Sequence, residues 1–453
     1  MHNPIFIRYT NQLGGITMEL NTLKKLLAEI LKSQHPVDAA ASIEEFEDDD
    51  ILQALQLLPA ETLASIFEEA SESLQKKIVQ FLDARKIVEV FAHMSVDDIT
   101  DILGILTIQQ RKELFAQMKE KDSKNIQMLL GFEPDSAGGI MTTEYIALKQ
   151  TLNVKEALEK IRLICPKTET IETIFIVNKN HELIGTVDLR NILISPDEIL
   201  LGEIMDEHLF FVYPDTDQEE VSLLATRYDL NVVPVVSKKL ILMGIITIDD
   251  IIDVIVEEQT EDMLMLSGVS KDEKVGSTLS VSIRRRLPWL FVNLVTAFLA
   301  SFTVGMFENV IAQVVALAAA MPIVAGMGGN SGSQTLSIVI RSIALGEVHI
   351  RKDWKYVFHE IALGIVNGST IGLLTGLIMY FRYHNIYLSL IIFVSMIGNL
   401  MIAGMFGFIV PLFLKKRNLD PAVSSSIFLT TATDVGGFFI FLGLAKIFLP
   451  YLH

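Results

Sequence analysis

Five apolar segments, at roughly 287–306, 312–338, 356–381, 385–413 and 423–449, are each long enough to cross a bilayer, because a helix rises about 1.5 Å per residue and the hydrocarbon core is about 30 Å thick. They confine this part of the chain to a helical bundle, since lipid offers backbone groups no hydrogen-bond partner. In the last segment stands Asp434, with no Lys or Arg beside it. A charge held in hydrocarbon is costly, so such residues line a water-filled path or meet a counter-ion. With no mid-membrane base to pair it, Asp434 calls for a cation. The structural alternative is a hydrogen bond from Thr430, Thr431 or Thr433.

The second segment contains Met327-Gly328-Gly329-Asn330-Ser331-Gly332-Ser333-Gln334. Three glycines among amides and hydroxyls predict irregular backbone at membrane depth, tolerated where it lines a cavity. Carbonyl and amide oxygens of Gly328, Gly329, Asn330 and Gln334 would suit a hard cation or its hydration shell. A polar helix-packing seam is the alternative. The third segment carries Gly364, Gly368, Gly372 and Gly376. This four-residue spacing puts all four on one helix face and predicts close helix packing, with a subunit contact as one use of it.

Charge divides the chain in two. From Leu287 onward nine basic and six acidic residues leave +3, so residues 1–286 carry −21 of the formal net −18. A strongly acidic first part speaks against nucleic acid and for cations as partners. Basic residues flank one side of the membrane, at Arg284–Arg286, at Arg351, Lys352 and Lys355, and at Lys415–Arg417. The opposite loops hold Glu308 and Arg382. The positive-inside rule therefore predicts a multi-pass protein of the cytoplasmic membrane with its acidic part cytosolic and its C-terminus external. The lone Cys165 allows no disulfide framework and fits a reducing compartment. The opening residues lack a long apolar core and a cleavage site, so no secretory signal is expected. Met18 begins a cleaner amphipathic run, and residues 1–17 read as an upstream extension.

Residues 18–134 show helical periodicity broken at Leu58-Pro59-Ala60-Glu61, Asp83-Ala84-Arg85 and Met94-Ser95-Val96-Asp97. Aligning Pro59–Phe67 with Ser95–Leu103 predicts a period near 36 with two helices per unit, a small helical array. Residues 135–259 hold a duplication. Ile140-Met141 recurs as Ile204-Met205, and Thr151–Ala157 as Asp215–Val221, both offset by 64. Each copy continues with an apolar strand and then Gly185 or Gly244. The order resembles a tandem pair of CBS modules, at 135–198 and 199–259. That likeness implies an adenine nucleotide, held in part by a Ser/Thr-x-x-Asp element. Thr247-Ile248-Asp249-Asp250 matches it, whereas Asp188-Leu189-Arg190-Asn191 departs from it.

Acidic residues gather as Asp97, Asp98 and Asp101, as Asp217, Glu219 and Glu220, as Asp249, Asp250 and Asp253, and as Glu257, Glu258, Glu261 and Asp262. Individually these are helix-start residues or solvated charges. Together they repel wherever their faces approach, and divalent ions would turn that repulsion into cross-links, so the set is a candidate ion sensor.

An acidic helical domain, a CBS pair, a linking helix over 260–283 and five spans over 284–453 with GMGGNSGSQ and TTATDVGGF resemble the MgtE family of magnesium channels. The resemblance implies a multi-domain fold: an α-helical N-terminal domain, an α+β CBS pair, the linking helix and a five-helix membrane domain. It also implies a homodimer with one pore on its two-fold axis, Asp434 as the pore carboxylate, and Mg²⁺ as both cargo and regulatory ligand. On the family pattern Asp97 and Asp101 face the CBS pair near Asp250. Asp217, Glu219, Asp229 and Asp253 match further regulatory ligands, Glu261 and Asp262 begin the linking helix, and Asp420 lies at the cytosolic mouth. Cytosolic Mg²⁺ bridging these acids closes the pore. The chain departs from the family after Asp420-Pro421-Ala422: many members place Gly-Pro or Asn-Pro there, whereas this chain has Ser424-Ser425-Ser426-Ile427.

Two other readings use the same parts: a CBS-regulated anion channel or secondary transporter, and a membrane-anchored CBS-regulated enzyme. The lone Asp434 argues against an anion route. No P-loop, nucleophile constellation or His/Cys ligand cluster supports an enzyme.

Overall fold

The computed structural model describes residues 20–33, 35–165, 168–270, 273, 277–347, 354–417, 419–422 and 425–452. Residues 1–17, Arg351, Lys352, Val423 and Ser424, all used in the sequence reading, lie outside them. The chain divides into two compact units, Met1–Val254 and Ile255–His453.

Among the described residues the first unit begins with nine helices: α1 (Leu20–Ser33), α2 (Pro36–Glu44), α3 (Asp48–Leu57), α4 (Ala60–Glu68), α5 (Glu72–Phe81), α6 (Ala84–Phe91), α7 (Val96–Gly104), α8 (Ile108–Phe115) and α9 (Glu120–Leu129). From α2 on, one helix begins every twelve residues, at 36, 48, 60, 72, 84, 96, 108 and 120. The expected period of 36 is therefore three helices, not two. Its physical basis is a short helix closed by a cap, with an apolar residue just ahead of the cap. Ser71, Asp83, Ser95 and Thr107 each accept a backbone N–H of their own first turn. Phe46, Leu58, Ala70, Met94 and Leu106 recur one position earlier and are buried, the place of a hydrophobic staple. Alternate helices pack on one another, α4 on α6 and α6 on α8 among them, and Phe67 and Phe91 stack at 6.0 Å inside the array.

The first CBS copy contains β1 (Ala147–Lys149), α10 (Val154–Ile164), β2 (Thr173–Val177), β3 (Leu183–Asp188) and α11 (Leu189–Ile194). Its sheet order is β1-β2-β3, parallel then antiparallel. The second copy follows α12 (Leu201–Ile204) and contains α13 (Gln218–Tyr228), β4 (Val232–Val236), β5 (Leu242–Thr247) and the start of α14 (Ile248–Leu266). The repeated Ile-Met dipeptides explain how the copies join. Thr142 bridges to Ile245 and Asp206 to Thr186, so each copy lends its edge to the other. A Cβ at Gly185 would fall 2.9 Å from the Met205 sulfur, and one at Gly244 would fall 2.7 Å from that of Met141. Each glycine is the notch that the other copy's methionine fills.

The second unit takes the end of α14, then α15 (Leu279–Gly305), α16 (Glu308–Gln313), α17 (Val315–Ala344), α18 (Trp354–Tyr383), α19 (Ile386–Lys416) and α20 (Ser425–Ile447). Among the described residues five of these, α15 and α17 to α20, are long and apolar enough to cross a membrane. Central α19 packs against α17, α18 and α20. The glycine face of α18 is spent entirely on it. A Cβ at Gly364 would meet the Leu400 carbonyl at 2.6 Å, at Gly368 the Ile397 Cα at 2.7 Å, and at Gly372 the Phe393 carbonyl at 2.9 Å. The stripe is an internal helix contact, not a subunit face.

Two expectations need correction. Met327–Gln334 is unbroken helix within α17, because Gly328 and Gly332 make room for neighbouring side chains and need no unwound backbone. The linking segment is not one helix over 260–283. Here α14 grows straight out of β5, ends at Leu266 and places Glu261 and Asp262 in its last turns, and the next helix starts at Leu279.

Candidate functional site

Asp434 lies midway along α20 and is half-buried. Its neighbouring hydroxyls are committed to their own helix: Thr430 donates to the Ser426 carbonyl at 2.8 Å, Thr431 to that of Ile427 at 2.7 Å, and Thr433 to that of Leu429 at 3.2 Å. No described residue gives Asp434 a hydrogen bond or a positive charge. The expected alternative, a carboxylate tied to a threonine, is not what the structure holds.

The polar run of α17 splits by face. Gly328 and Gly332 turn inward, where their missing side chains admit Asn399 of α19 and Leu429 of α20. Asn330 and Gln334, one turn apart, are exposed, and Gly329 has open space around it. The packing seam and the outward amides thus occupy different sides of one helix. Below them Met265 and Leu266, at the end of α14, pack with Leu336, Ala422 and Leu429. There Asp262 is held up to about 6, first by burial and then by the nearby charges of Asp420, Glu258 and Glu261. Asp420 accepts the Ala422 N–H at 2.7 Å, a tight turn just ahead of α20.

In the first unit the start of α7 meets the second CBS copy. Ser95 caps α7 and its hydroxyl donates to Asp98 Oδ2 at 2.5 Å, while the hydroxyls of Ser95 and Thr142 near the adjacent Asp97 only partly offset its burial. Its Oδ1 is buried without a partner. Burial pushes Asp97 up. Asp250, which accepts the Thr247 hydroxyl at 2.8 Å, is held at about 7 by burial and then by Asp97. Asp98 is raised to about 6, by burial and then by Asp97 and Glu69 against the Ser95 bond. Three further acids join that the sequence reading passed over. Glu68 and Glu144 are each raised to about 7, burial first, with Asp98 acting on Glu68 and Asp97 on Glu144. Glu169, whose N–H donates to the Glu144 carbonyl at 2.9 Å, is also near 7. Glu144 follows Met141 by three residues, so the repeat itself places it at the seam. No local pattern marks Glu68 or Glu169. Among the described residues no three His, Cys, Asp or Glu side chains converge as a complete metal-ligand set. Mg²⁺ needs only one or two carboxylates plus retained waters, so hard oxygens of this kind fit it.

The remaining acids are dispersed. Asp101 is exposed a turn along α7, and Asp253 a turn along α14. Asp217 is the N-cap of α13 and accepts the Glu219 N–H at 2.8 Å. Asp229 is the left-handed C-cap of that helix, at φ 53°. It also lines a cleft of about 260 Å³ with Asp188, Thr173, Thr186, His208, Phe210 and Asn231. The nucleotide residues expected from sequence therefore part company. Asp188 faces this cleft, whereas Thr247 and Asp250 belong to the acidic seam, and Asn191 is exposed on α11.

Five membrane-length apolar helices among the described residues, one with an unpartnered acid, in one chain with a CBS pair and an acidic helical array, define a membrane protein with a large CBS-bearing unit outside the bundle. Family models match in chain order: the MgtE intracellular N domain over 34–135, CBS domains over 137–196 and 201–257, and the MgtE divalent cation transporter over 321–444. The magnesium transporter MgtE of Bacillus subtilis is 33% identical over 331 residues, 73% of each chain. That of Thermus thermophilus is 35% identical over 327 residues, 72% of each. A crystal structure of the cytosolic domain of the Mg²⁺ channel MgtE in complex with ATP aligns with 31% identity and a TM-score of 0.49, over 51% of this chain and 94% of that one. The chain belongs to the MgtE family.

Proposed function

We propose that this chain moves Mg²⁺ across the cytoplasmic membrane as a homodimer, along a path that two copies of Asp434 line at the subunit axis. The observation that carries the reading is the Asp434 carboxylate, set in an apolar helix with no described partner. Two such groups facing one path would hold a hydrated divalent cation without stripping all its waters, the manner in which Mg²⁺ prefers to be bound. Asn330 and Gln334, and the open backbone at Gly329, supply outward polar groups for the hydration shell. The basic loops support a cytosolic acidic unit and an external C-terminus.

Internal Mg²⁺ closes the path. Asp97, Asp98, Glu144 and Asp250 repel one another when ionised, and an ion between them turns repulsion into attachment. Asp262 and Asp420 do the same where the end of α14 meets the membrane bundle, with Glu261 beside them. Asp101, Asp217, Glu219 and Asp253 supply further acidic surface. A ligand that binds the closed arrangement better shifts the population toward it. The cleft with Asp188 and Phe210 fits an adenine nucleotide, whose ribose and base it would take, as a modulator of the pair. A CBS-regulated anion carrier is disfavoured by the same Asp434, and an enzyme by the transporter names of the relatives. The test is Mg²⁺ uptake by liposomes holding the purified protein, with internal Mg²⁺ varied. Uptake that falls as internal Mg²⁺ rises is expected. Uptake insensitive to internal Mg²⁺ contradicts the closing mechanism, and no uptake contradicts transport.

A further inference from the structure

We propose that Asn399 is the positioning residue that sets the width of the ion path, by fixing the helix of Gly328–Gln334 at a set distance from the helix of Asp434. This rests on the reading of those two helices as lining the path. Asn399 stands in the middle of α19, 0% exposed. Its Nδ2 donates to the Val324 carbonyl of α17 at 2.7 Å. Its Oδ1 is buried and receives no hydrogen bond.

The carboxamide sits in a slot cut by glycines from two other helices. A Cβ at Gly328 would fall 2.3 Å from Nδ2, and a Cβ at Gly437 would fall 2.7 Å from Cγ and 2.8 Å from Oδ1. At both glycines the Cα hydrogen in the Cβ direction points at the amide, which leaves Oδ1 weak C–H contacts at most. A leucine branches at the same carbon but is bulkier and not flat, so it would press on both glycine backbones. The amide is retained for its geometry: a flat group, thin enough for two glycine backbones to close on it, locked to α17 by one directional bond. Gly437 follows Asp434 by three residues, and Val324 lies one turn before Gly328, so the lock acts within a turn of the carboxylate on one side and of the polar run on the other. Held at this spacing, the two helices of each subunit set how far Asp434 and the polar run stand from the axis, and that width decides which hydrated cation passes, because a filter that retains ion-bound water selects by size.

Flux of Mg²⁺ and of the larger Ca²⁺ into liposomes holding the full-length protein tests this. Asn399→Leu removes the bond and the flat shape together, and is expected to lower the Mg²⁺-over-Ca²⁺ ratio at least roughly three- to tenfold, the worth of one buried hydrogen bond. Gly328→Ala is expected to lose Mg²⁺ flux, and Asn399→Ser in the same chain to restore it by vacating the space the new methyl needs. An unchanged ratio in Asn399→Leu overturns the proposal, as does a Gly328→Ala defect that Asn399→Ser leaves untouched. The rescue arm decides the matter by itself if Asn399→Leu does not assemble. Absence of wild-type Mg²⁺ flux overturns the transport reading instead, and the two failures are told apart by that control.

Discussion

Asp97 is the foremost charge acting on Asp250, and together with burial it holds that carboxyl at about 7. One acid opens helix α7 of the array; the other sits on α14 of the second CBS copy. Their seam should therefore respond to pH in a defined direction. Asp250 and Glu144 near 7, and Asp98 near 6, are all raised above their ordinary 3.8 to 4.5. Groups with raised values hold protons more readily when folded, so their contribution is complete only below about pH 3.8 and is lost as pH climbs from there through 6 to 7. Without Mg²⁺, hydrogen exchange in Val96–Gly104 is expected to accelerate between pH 5 and 8 beyond its chemical pH dependence. Added Mg²⁺ should reverse this, and its midpoint should fall roughly tenfold from pH 6 to pH 8, as a group titrating near 7 gives up its proton. A midpoint independent of pH counts against these acids as ligands.

Replacing Asp97, Asp101 and Asp250 together by Asn removes the ion bridge while keeping side-chain volume. Millimolar Mg²⁺ is expected to protect the linker after Glu257 from protease in the wild type and to lose that effect in the triple variant, with flux retained. Unchanged protection rejects the bridge.

Asp262 carries the repulsion of Asp420 at the membrane end of α14. In Asp262→Asn one close like-charged pair disappears, about 1 kcal/mol before screening, and the docked arrangement gains roughly fivefold in population. Flux at low internal Mg²⁺ should fall correspondingly. A rise would place Asp262 on the conducting side of the equilibrium.

Much of this architecture could be read from residues alone, where the pattern was long or repeated. Twenty or more apolar residues admit one structure in lipid, and the 64-residue offset of Ile140-Met141 and Ile204-Met205 marks a duplication whose reason is the mutual clasp of Gly185 and Gly244. The array was harder. Its twelve-residue period is carried by single apolar positions such as Phe46, Leu58 and Met94, and its caps vary from Ser and Asp to Pro59 and Lys119, so only one multiple of the period stood out. In the membrane the glycines of α17 misled for a related reason. A glycine needed for an unwound backbone and one needed for a neighbour's side chain are identical in sequence, and only the position of Asn399 tells them apart. The acids Glu68 and Glu169 owe their environment to contacts distant in sequence, which no local spacing encodes.

The α18 stripe gives a stability test. A side chain at Gly368 would begin 2.7 Å from the Ile397 Cα, and backbone cannot yield as a flexible side chain does. Gly368→Leu is expected to destabilise the bundle by about 1–3 kcal/mol or more, visible as a lower thermal midpoint in detergent. The same change at Gly329, which has open space around it, should leave the midpoint within about 0.5 kcal/mol of wild type.

The most direct test is at Asp434. Mg²⁺ uptake into liposomes at low internal Mg²⁺ is compared for wild type, Asp434→Asn and Asp434→Ala, with assembly of each checked by size. Loss of the charge should cut uptake by at least roughly a hundredfold in both variants, because a neutral amide cannot offset the cost of a divalent ion in hydrocarbon. Wild-type uptake in either variant would show that no cation meets this carboxylate, and the account would be wrong.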